Sequence, residues 1–354
     1  MFDEIVRLAS YRRAFILLSL GAGVFIAAGC SGGTGSPGSP AAGAAAATQT
    51  RLQSFGASSP MVHASTAPHL TSTELRPHGW LSPGGRSGQH LVYGAAGDEV
   101  VIFQDGKAPL QVGAISSGVN GAYGLFVDAQ GRLFVVNRSN ATVSEYEPGT
   151  TTPETTYKQQ LNSPLYATED AAGDLYVSNS GSPTIAVYMN GSTSATTLPS
   201  LGSETDGMSF DASGSLYAAY RNGNAGGIEV FAAGATTPTD LGISLNQPQG
   251  LAIDPAGNLL VVETGGTDRV DVFAPNEVSA SQRIKIPQTP TELALKPRDE
   301  SFLISTLANE IYKVKPAVPN PTPKVIISSG LSGLQGTAVY PAFQDPGTYL
   351  RHRP

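Results

Sequence analysis

The chain has 354 residues and a formal net charge of −7; only 14% of its residues are charged, while 41 are Gly and 26 are Pro. This length suits one large all-β domain or two smaller domains, and the abundance of Gly and Pro is typical of many short strands joined by turns. The acidic balance, with no basic run after residue 30, excludes a nucleic-acid binder, which needs Lys and Arg to neutralise phosphates.

Residues 1–29 predict an export signal. Arg12 and Arg13 precede an apolar run over residues 14–28, which is shorter than the about 20 residues that a membrane-spanning helix needs. The run ends in "IAAGC", where Cys30 is the only cysteine of the chain. This ending resembles the lipobox of bacterial lipoproteins. The resemblance implies that Cys30 is the lipidation site and the membrane anchor.

Alternatives to this interpretation stay open at the N-terminus. Ala27 stands where the lipobox usually has Leu, and an ordinary signal peptide with a chance cysteine is the simpler hypothesis. "RRAFIL" resembles a twin-arginine signal, although Tyr11 replaces the usual Ser or Thr, so the Sec and Tat routes both remain. Ser31 favours outer-membrane sorting by resemblance to lipoproteins. We expect a lipid-anchored protein of the cell envelope, at the outer membrane or the periplasmic face.

Residues 30–85 predict a flexible low-complexity tether, and residues 86–354 predict the folded domain. The tether opens with "SGGTGSPGSPAAGAAAATQT". Gly, Ser, Pro and Ala in this proportion cannot build a packed core.

The folded domain repeats itself with a period near 40. "GLFVDAQGRLFVVN", "PLYATEDAAGDLYVSN", "GMSFDASGSLYAAY" and "GLAIDPAGNLLVVE" are four copies of one unit. Their turn glycines, Gly131, Gly173, Gly214 and Gly257, are spaced by 42, 41 and 43 residues, and a weaker fifth copy has Asp299 at this position. Such a period, built only from strand-like segments, predicts propeller blades.

Each copy predicts four strands. The second strands, such as "LFVVN", are almost continuously apolar, which indicates cover on both faces. The third strands, such as "IEVF" and "VDVF", alternate apolar and polar residues. This alternation predicts a strand near the outside of the blade with one wetter face.

The two ends of the domain are complementary fragments of one more blade. "HLVYGAAGDEVVIFQDG" begins at His90 and supplies second and third strands without a first, whereas "LQGTAVYP" at residues 334–341 supplies a first strand alone. Together they predict an all-β, six-bladed β-propeller with four strands per blade. The C-terminal strand closes the first blade and removes the open sheet edges.

The stretch "DPAGNL" at residues 254–259 has two interpretations, a calcium loop and a tight turn. Asp128, Asp170, Asp211 and Asp254 each lie three residues before a turn glycine. Asp at the first position and Gly at the fourth are typical of a type I turn. A calcium loop needs several converging oxygen ligands, and one carboxylate per turn does not supply them. The turn interpretation is therefore favoured.

"GLAIDPAGNLLVVETGGTDRVDVFAP" resembles NHL-type and related six-bladed propeller repeats, and the resemblance covers about residues 91–341. The matching residues are turn and core residues, so the resemblance implies the fold and leaves the function open. Similar propellers serve as ligand-binding platforms, interaction domains, gluconolactonase-like hydrolases and streptogramin-lyase-like enzymes.

The loops between second and third strands, together with the loops between blades, predict one loop-rich face around the central channel. This face is the candidate binding site. The inter-blade loops contribute Tyr123, Asn162, Asp206, Gln249 and Gln335. The other candidate ligand-binding residues are Asn137, Arg138, Asn179, Arg221, Asn222, Glu263, Asp268 and Arg269.

The sequence leaves open whether the protein is an enzyme, and it singles out no catalytic residue. Our main hypothesis is a non-catalytic protein that binds an envelope protein or a small ligand on this face, without a cofactor. The alternative is a metal-dependent, gluconolactonase-like hydrolase that holds a divalent cation through Glu263, Asn137 and Asn179, which end equivalent strands. Asn and Glu also commonly cap strand ends, which gives these residues a structural explanation.

Overall fold

The computed structural model describes residues 90–296, 300–316 and 320–341. The predicted signal peptide at residues 1–29, the predicted tether at residues 30–85, Cys30 and Asp299 lie outside these ranges. Within them, no helix has the length and apolar character needed to cross a bilayer.

The fold is an all-β propeller of six antiparallel sheets, as predicted. In the second to sixth blades, consecutive strands run outward from the central channel, and the first strand of each blade contacts the first strands of its neighbours around the ring. The second blade contains β4 (Ala122–Val127), β5 (Leu133–Asn137), β6 (Thr142–Tyr146) and β7 (Thr155–Tyr157), and the third contains β8 (Pro164–Glu169), β9 (Leu175–Asn179), β10 (Thr184–Tyr188) and β11 (Ala195–Pro199).

The remaining consecutive blades keep the same order, and the fourth has one extra short strand that pairs with its third strand. The fourth blade contains β12 (Glu204–Phe210), β13 (Leu216–Asn222), β14 (Ala225–Phe231), β15 (Thr239–Asp240) and the extra β16 (Leu245–Asn246); the fifth contains β17 (Pro248–Ile253), β18 (Leu259–Glu263), β19 (Arg269–Phe273) and β20 (Gln282–Lys285); and the sixth contains β21 (Pro290–Lys296), β22 (Ser301–Thr306), β23 (Glu310–Val314) and β24 (Lys324–Ile327).

The first blade joins the two ends of the domain, as predicted. It contains β1 (Leu91–Ala96), β2 (Glu99–Gln104) and β3 (Leu110–Ile115), with β25 (Leu334–Tyr340) as its innermost strand. The register between β25 and β1 runs from Tyr340 opposite Leu91 to Leu334 opposite Ala96. Thr337 Oγ1 also donates a hydrogen bond of 3.0 Å to the carbonyl oxygen of Tyr93. The C-terminal strand therefore covers the edge that β1 would otherwise expose.

The turn interpretation of "DPAGNL" is confirmed. The N–H of Gly257 donates to the carbonyl oxygen of Asp254 at 2.9 Å, and Gly257 has a φ of +82°. Asp254 Oδ1 accepts hydrogen bonds from the N–H groups of Ala256 at 2.9 Å and Asn258 at 2.8 Å. The carboxylate is thus occupied within its own turn, in the manner expected of an Asx-type turn.

The predicted wetter face of the third strands is wrong. All five residues of β6 are buried, and so are four of the five residues of β19. Their polar side chains have partners inside the structure: Glu145 accepts hydrogen bonds from Arg132 Nη1 at 2.6 Å and from the Tyr157 hydroxyl at 2.7 Å. The alternation therefore reflects buried carboxylates that are paired, which stay buried because they are hydrogen-bonded. Burial also raises the pKa of Glu229, in β14, to about 7.

The first strands of neighbouring blades approach one another closely near their upper ends, where each is interrupted by a bulge. A Cβ atom on Gly124 would lie 2.4 Å from the carbonyl oxygen of Leu165 in the next blade. A Cβ atom on Gly336 would lie 2.2 Å from the carbonyl oxygen of Tyr123. Glycine permits this approach of backbone to backbone because it has no side chain.

This packing predicts that Gly124→Ala destabilises the protein by about 1–3 kcal/mol, because the added methyl group overpacks a backbone contact that cannot yield. Gly106→Ala is the matched control, since a Cβ atom at Gly106 would have no neighbour within 4 Å. The measurement is the free energy of unfolding from chemical denaturation. Equal stabilities of the two variants would contradict the proposed close packing of the first strands.

Candidate functional site

The upper face of the ring is the end that carries the loops between second and third strands and the loops between blades. The predicted site residues lie here, but three of them are inside the structure rather than on its surface. Asn137, Asn179 and Glu263 are the last residues of β5, β9 and β18, and none is more than 3% exposed.

Each of these three residues holds the inter-blade loop that precedes its own blade. The Oδ1 atom of Asn137 accepts the N–H of Asn120 at 2.9 Å. Equivalent bonds join Asn179 Oδ1 to the N–H of Asn162 at 2.8 Å, and Glu263 Oε1 to the N–H of Asn246 at 2.7 Å. The donor lies 17 residues before the acceptor in all three blades. Repetition of one contact at one position indicates a structural clamp, as the strand-cap explanation expects.

The side-chain oxygens that the metal hypothesis requires accept hydrogen bonds in these clamps. Asn137 Nδ2 donates further hydrogen bonds to the carbonyl oxygen of Gly118 and to two hydroxyl groups, and Glu263 Oε2 forms an ion pair with Arg269. Over the described ranges, no three His, Cys, Asp or Glu side chains group together in a way that could hold a metal ion.

Two of the predicted arginines are neutralised by neighbouring carboxylates. Arg221 contacts Asp206 at 2.5 Å and Glu204 at 2.6 Å, while Arg269 contacts Asp271 at 2.6 Å in addition to Glu263. Two other predicted residues accept hydrogen bonds from backbone N–H groups. Asn222 Oδ1 accepts the N–H of Ser203 at 2.9 Å, and the carbonyl oxygen of Asp268 accepts the N–H of Ile286 at 2.8 Å.

Arg138 differs from these arginines. Its side chain is exposed, and its guanidinium carbon lies 5.4 Å from the centre of the Tyr123 ring, a cation–π geometry. Arg138 forms no ion pair with any described carboxylate. Among the described residues, the loop-rich face therefore presents one guanidinium group without an ion-pair partner, and this group lies beside the Tyr123 ring.

The inter-blade residues form a polar and aromatic mouth above the channel. The Tyr123 and Tyr166 rings meet edge to face at 5.6 Å, and the Tyr123 hydroxyl donates to Gln249 Oε1 at 3.4 Å. Asp206 is fully buried, and this burial raises its pKa to about 6 although Arg221 opposes the shift. The side chain of Asn162 donates through Nδ2 to the backbone carbonyl oxygen of Gly181 at 2.6 Å, and the backbone carbonyl oxygen of Gln335 accepts the Ser305 hydroxyl at 3.1 Å.

Tyr166 and Glu292 fill the channel below this mouth. The Tyr166 hydroxyl, from the third blade, donates to the carbonyl oxygen of Thr291 in the sixth blade at 2.9 Å. Glu292 Oε2 accepts the N–H groups of Thr337 at 2.9 Å and Leu125 at 3.4 Å, which belong to the first and second blades. These contacts cross the ring and separate its two ends.

A cavity of about 670 Å³ opens at the other end, the lower face, and sequence reasoning missed it. First strands of all six blades line it, and the turns that carry Asp128, Asp170 and Asp211 form part of its rim. One signal was available in the repeats. Glu292 occupies the bulge position at which four of the six first strands have Gly, so a carboxylate there is a departure from the pattern.

The lining of this cavity is acidic. Arg132 is its one cationic side chain among the described residues, and it contacts Asp128 at 2.5 Å, Glu145 at 2.6 Å and Glu169 at 3.2 Å. Burial raises the pKa of Glu169 to about 8 and that of Glu292 well above the ordinary glutamate value. The carboxylates that line the cavity are Asp128, Glu169, Asp170, Asp211 and Glu292.

The chain matches no protein-family model and no curated protein. Among solved structures, it is similar to a chain in the crystal structure of a nidogen/laminin complex, with a TM-score of 0.62 and 17% identity over 71% of this chain and 98% of that chain. A streptogramin B lyase has a TM-score of 0.47 and 11% identity over 66% of this chain and 72% of that chain. A selenomethionine-substituted virginiamycin B lyase from Staphylococcus aureus has a TM-score of 0.49 and 13% identity over 70% of this chain and 87% of that chain. The first similarity supports the propeller fold and nothing finer.

The clamp predicts that Asn137→Ala lowers the free energy of unfolding by about 1–3 kcal/mol, because the N–H of Asn120 and the hydroxyls around Asn137 lose a buried partner. Arg138→Ala, on the exposed neighbour, should change stability by no more than about 0.5 kcal/mol. Both measurements are repeated with millimolar calcium. Calcium that stabilises the parent protein but not Asn137→Ala would contradict the structural role and support the metal hypothesis.

Proposed function

We propose that this protein is a non-catalytic binding propeller of the bacterial cell envelope, built from NHL-type repeats and held at a membrane through lipidated Cys30. Its partner, a protein of the envelope, docks on the upper face around Tyr123 and Arg138. The observation that carries this proposal is the exposed Arg138 guanidinium, which lies over the Tyr123 ring without a carboxylate partner among the described residues.

Arg and Tyr are the residue types that most often anchor protein interfaces, because each combines a large apolar surface with directional hydrogen bonding. The guanidinium of Arg138 forms no hydrogen bond with the residues that the structure describes, and such a group can bind a carboxylate on the partner in a bidentate manner. The Tyr123 ring is already held by the Tyr166 ring and by Gln249, so little side-chain entropy remains to be lost when a partner docks.

The gluconolactonase-like alternative has weaker support. It requires the oxygens of Asn137, Asn179 and Glu263 to converge on one cation, whereas each accepts a hydrogen bond from a backbone amide of its own inter-blade loop. A small ligand at the same mouth is a further alternative on the upper face, and the first experiment below distinguishes it from a protein.

A photoreactive residue placed at the exposed Ser139, beside Arg138, is expected to form a discrete protein adduct in intact cells. The charge reversal Arg138→Glu should reduce this adduct at least fivefold, because the guanidinium contact becomes a repulsion. Lys324→Glu, an equal reversal on an exposed residue of β24, should leave it unchanged. The readout is the adduct band, identified by mass spectrometry.

Two controls decide the outcome of this experiment. The same photoreactive residue at Thr197, on the exposed outer strand β11, should not give the same adduct. An adduct that is insensitive to Arg138→Glu, or that forms equally from Thr197, would refute docking at the upper face. The absence of any protein adduct would favour a small ligand.

The lipid anchor predicts that the full chain fractionates with membranes in a bacterial host that has an outer membrane, and that Cys30→Ser releases it to the soluble fraction. Ser31→Asp provides the matched variant, which keeps the cysteine and should move the chain from the outer to the inner membrane. Sucrose-gradient fractionation and metabolic labelling with a fatty acid measure both effects. Membrane association of Cys30→Ser equal to that of the parent chain would contradict the anchor.

A further inference from the structure

The lower cavity is a second concave site, separate from the upper face. The Tyr166 hydroxyl and the Glu292 carboxyl group form hydrogen bonds between blades above it, and the cavity lining includes none of the inter-blade loop residues of the upper face. Its volume of about 670 Å³ falls within the range of small-molecule sites. The upper face and this cavity therefore lie at opposite ends of the ring and differ in the side chains that they present.

Glu292 is the polar group at the inner end of the cavity. Its side chain is only 8% exposed, and its Oε2 atom is held by two backbone N–H groups, those of Thr337 and Leu125. Its Oε1 atom has no hydrogen-bond partner among the residues that the structure describes. This oxygen is not one of the fully buried polar atoms that lack a partner, so we read it as open to the cavity that Glu292 lines, where a ligand that donates a hydrogen bond can reach it.

The surroundings of Glu292 lack the positive charge that such a carboxylate needs. Leu251, Leu293 and Thr337 line the cavity together with Glu292. Burial is the main cause of the raised pKa of the Glu292 carboxyl, and no cation lowers it. Elsewhere in the molecule, buried carboxylates such as Asp206 and Asp271 are paired with arginines. Glu292 has no such ion pair, a feature that it shares with the buried Glu229 and Asp174 among the described residues, but of these three only Glu292 lines the cavity.

The rest of the lining favours a ligand that combines a positive charge with an apolar body. Five carboxyl groups and one arginine line the cavity, so acidic groups outnumber basic groups by four (five minus one), and those that are ionised give the cavity a negative field. Low-dielectric walls focus such a field and attract cations. Half-buried apolar side chains, including Phe210, Ala252 and Leu295, provide surface that a ligand would cover.

We propose that the lower cavity binds an organic cation, in which an ammonium group donates to Glu292 Oε1 and an apolar body packs against the first strands. The ammonium supplies both the hydrogen-bond donor and the positive charge that the Glu292 carboxylate lacks. The site is independent of the upper face, so a protein partner can dock on one end of the ring while the other end holds a small molecule.

The test uses three probes that share one aromatic body and differ in charge: 1-naphthylmethylammonium, 1-naphthylmethanol and 1-naphthylacetate. Equilibrium binding to the full chain is measured by calorimetry and by naphthalene fluorescence. The expected order of affinity is ammonium over alcohol over carboxylate, with at least tenfold between the first two. Binding of the carboxylate as tightly as the ammonium would overturn the proposal.

Two variants locate the binding, and one is a control. Glu292→Gln keeps the shape of the side chain and should weaken the ammonium probe at least tenfold while changing the alcohol less than twofold. Ala252→Phe, which fills the cavity without altering Glu292, should weaken both probes at least tenfold. Arg138→Ala, on the upper face, should leave both affinities unchanged.

Thermal melting of each variant establishes that it is folded before binding is compared. If Glu292→Gln does not fold, Ala252→Phe alone decides the location of the site. Ammonium binding that survives Ala252→Phe undiminished, or the absence of ammonium binding to the parent chain at millimolar concentration, would refute a cation site in this cavity. Unchanged binding to a folded Glu292→Gln would refute the role of the carboxylate.

Discussion

The antiparallel pairing of residues 334–340 with residues 91–96 is the interaction on which the rest of the structure depends. It joins strands that are more than 230 residues apart in the chain. The entropic cost of closing this long loop is offset by the contacts of a single sheet. In return, the ring has no unpaired inner edge, and every blade is covered on both sides by a neighbour. Closure also brings the N–H of Thr337 to Glu292 and so completes the inner end of the lower cavity.

Close approach of the first strands lies between two ends of the channel that differ in their side chains. Glycines at the bulges let neighbouring backbones touch, as at Gly124 and Gly336, and the two larger residues at this level, Tyr166 and Glu292, fill what space is left. Above them, the inter-blade loops present aromatic and charged groups to solvent. Below them, the turns that begin with aspartates surround an acidic cavity. The closely packed first strands therefore lie between the loop-rich upper face and the lower cavity.

The fold could be predicted from the sequence because its signals are local and repeated. The spacing of Gly131, Gly173, Gly214 and Gly257 predicts the blades, and the complementary fragments at the two ends predict the closure. Burial across blades could not be predicted in the same way. The alternation in the third strands indicated a wet face, but Glu145 is satisfied by Arg132 and Tyr157, and only three-dimensional structure brings these partners together. The lower cavity depends on such contacts as well.

The predicted site residues show why equivalent positions in a repeat are poor evidence of ligand binding. Asn137, Asn179 and Glu263 each accept the equivalent backbone amide in their blades, so repetition of this contact in three blades indicates structure. The residues that break the repeat carry more information. Arg138 has no carboxylate partner among the described residues, whereas Arg221 and Arg269 have two each, and Glu292 stands where four other blades have Gly. These departures leave an exposed guanidinium group and a carboxyl group without an ion pair, and these two groups are the observations that support the two proposed binding sites.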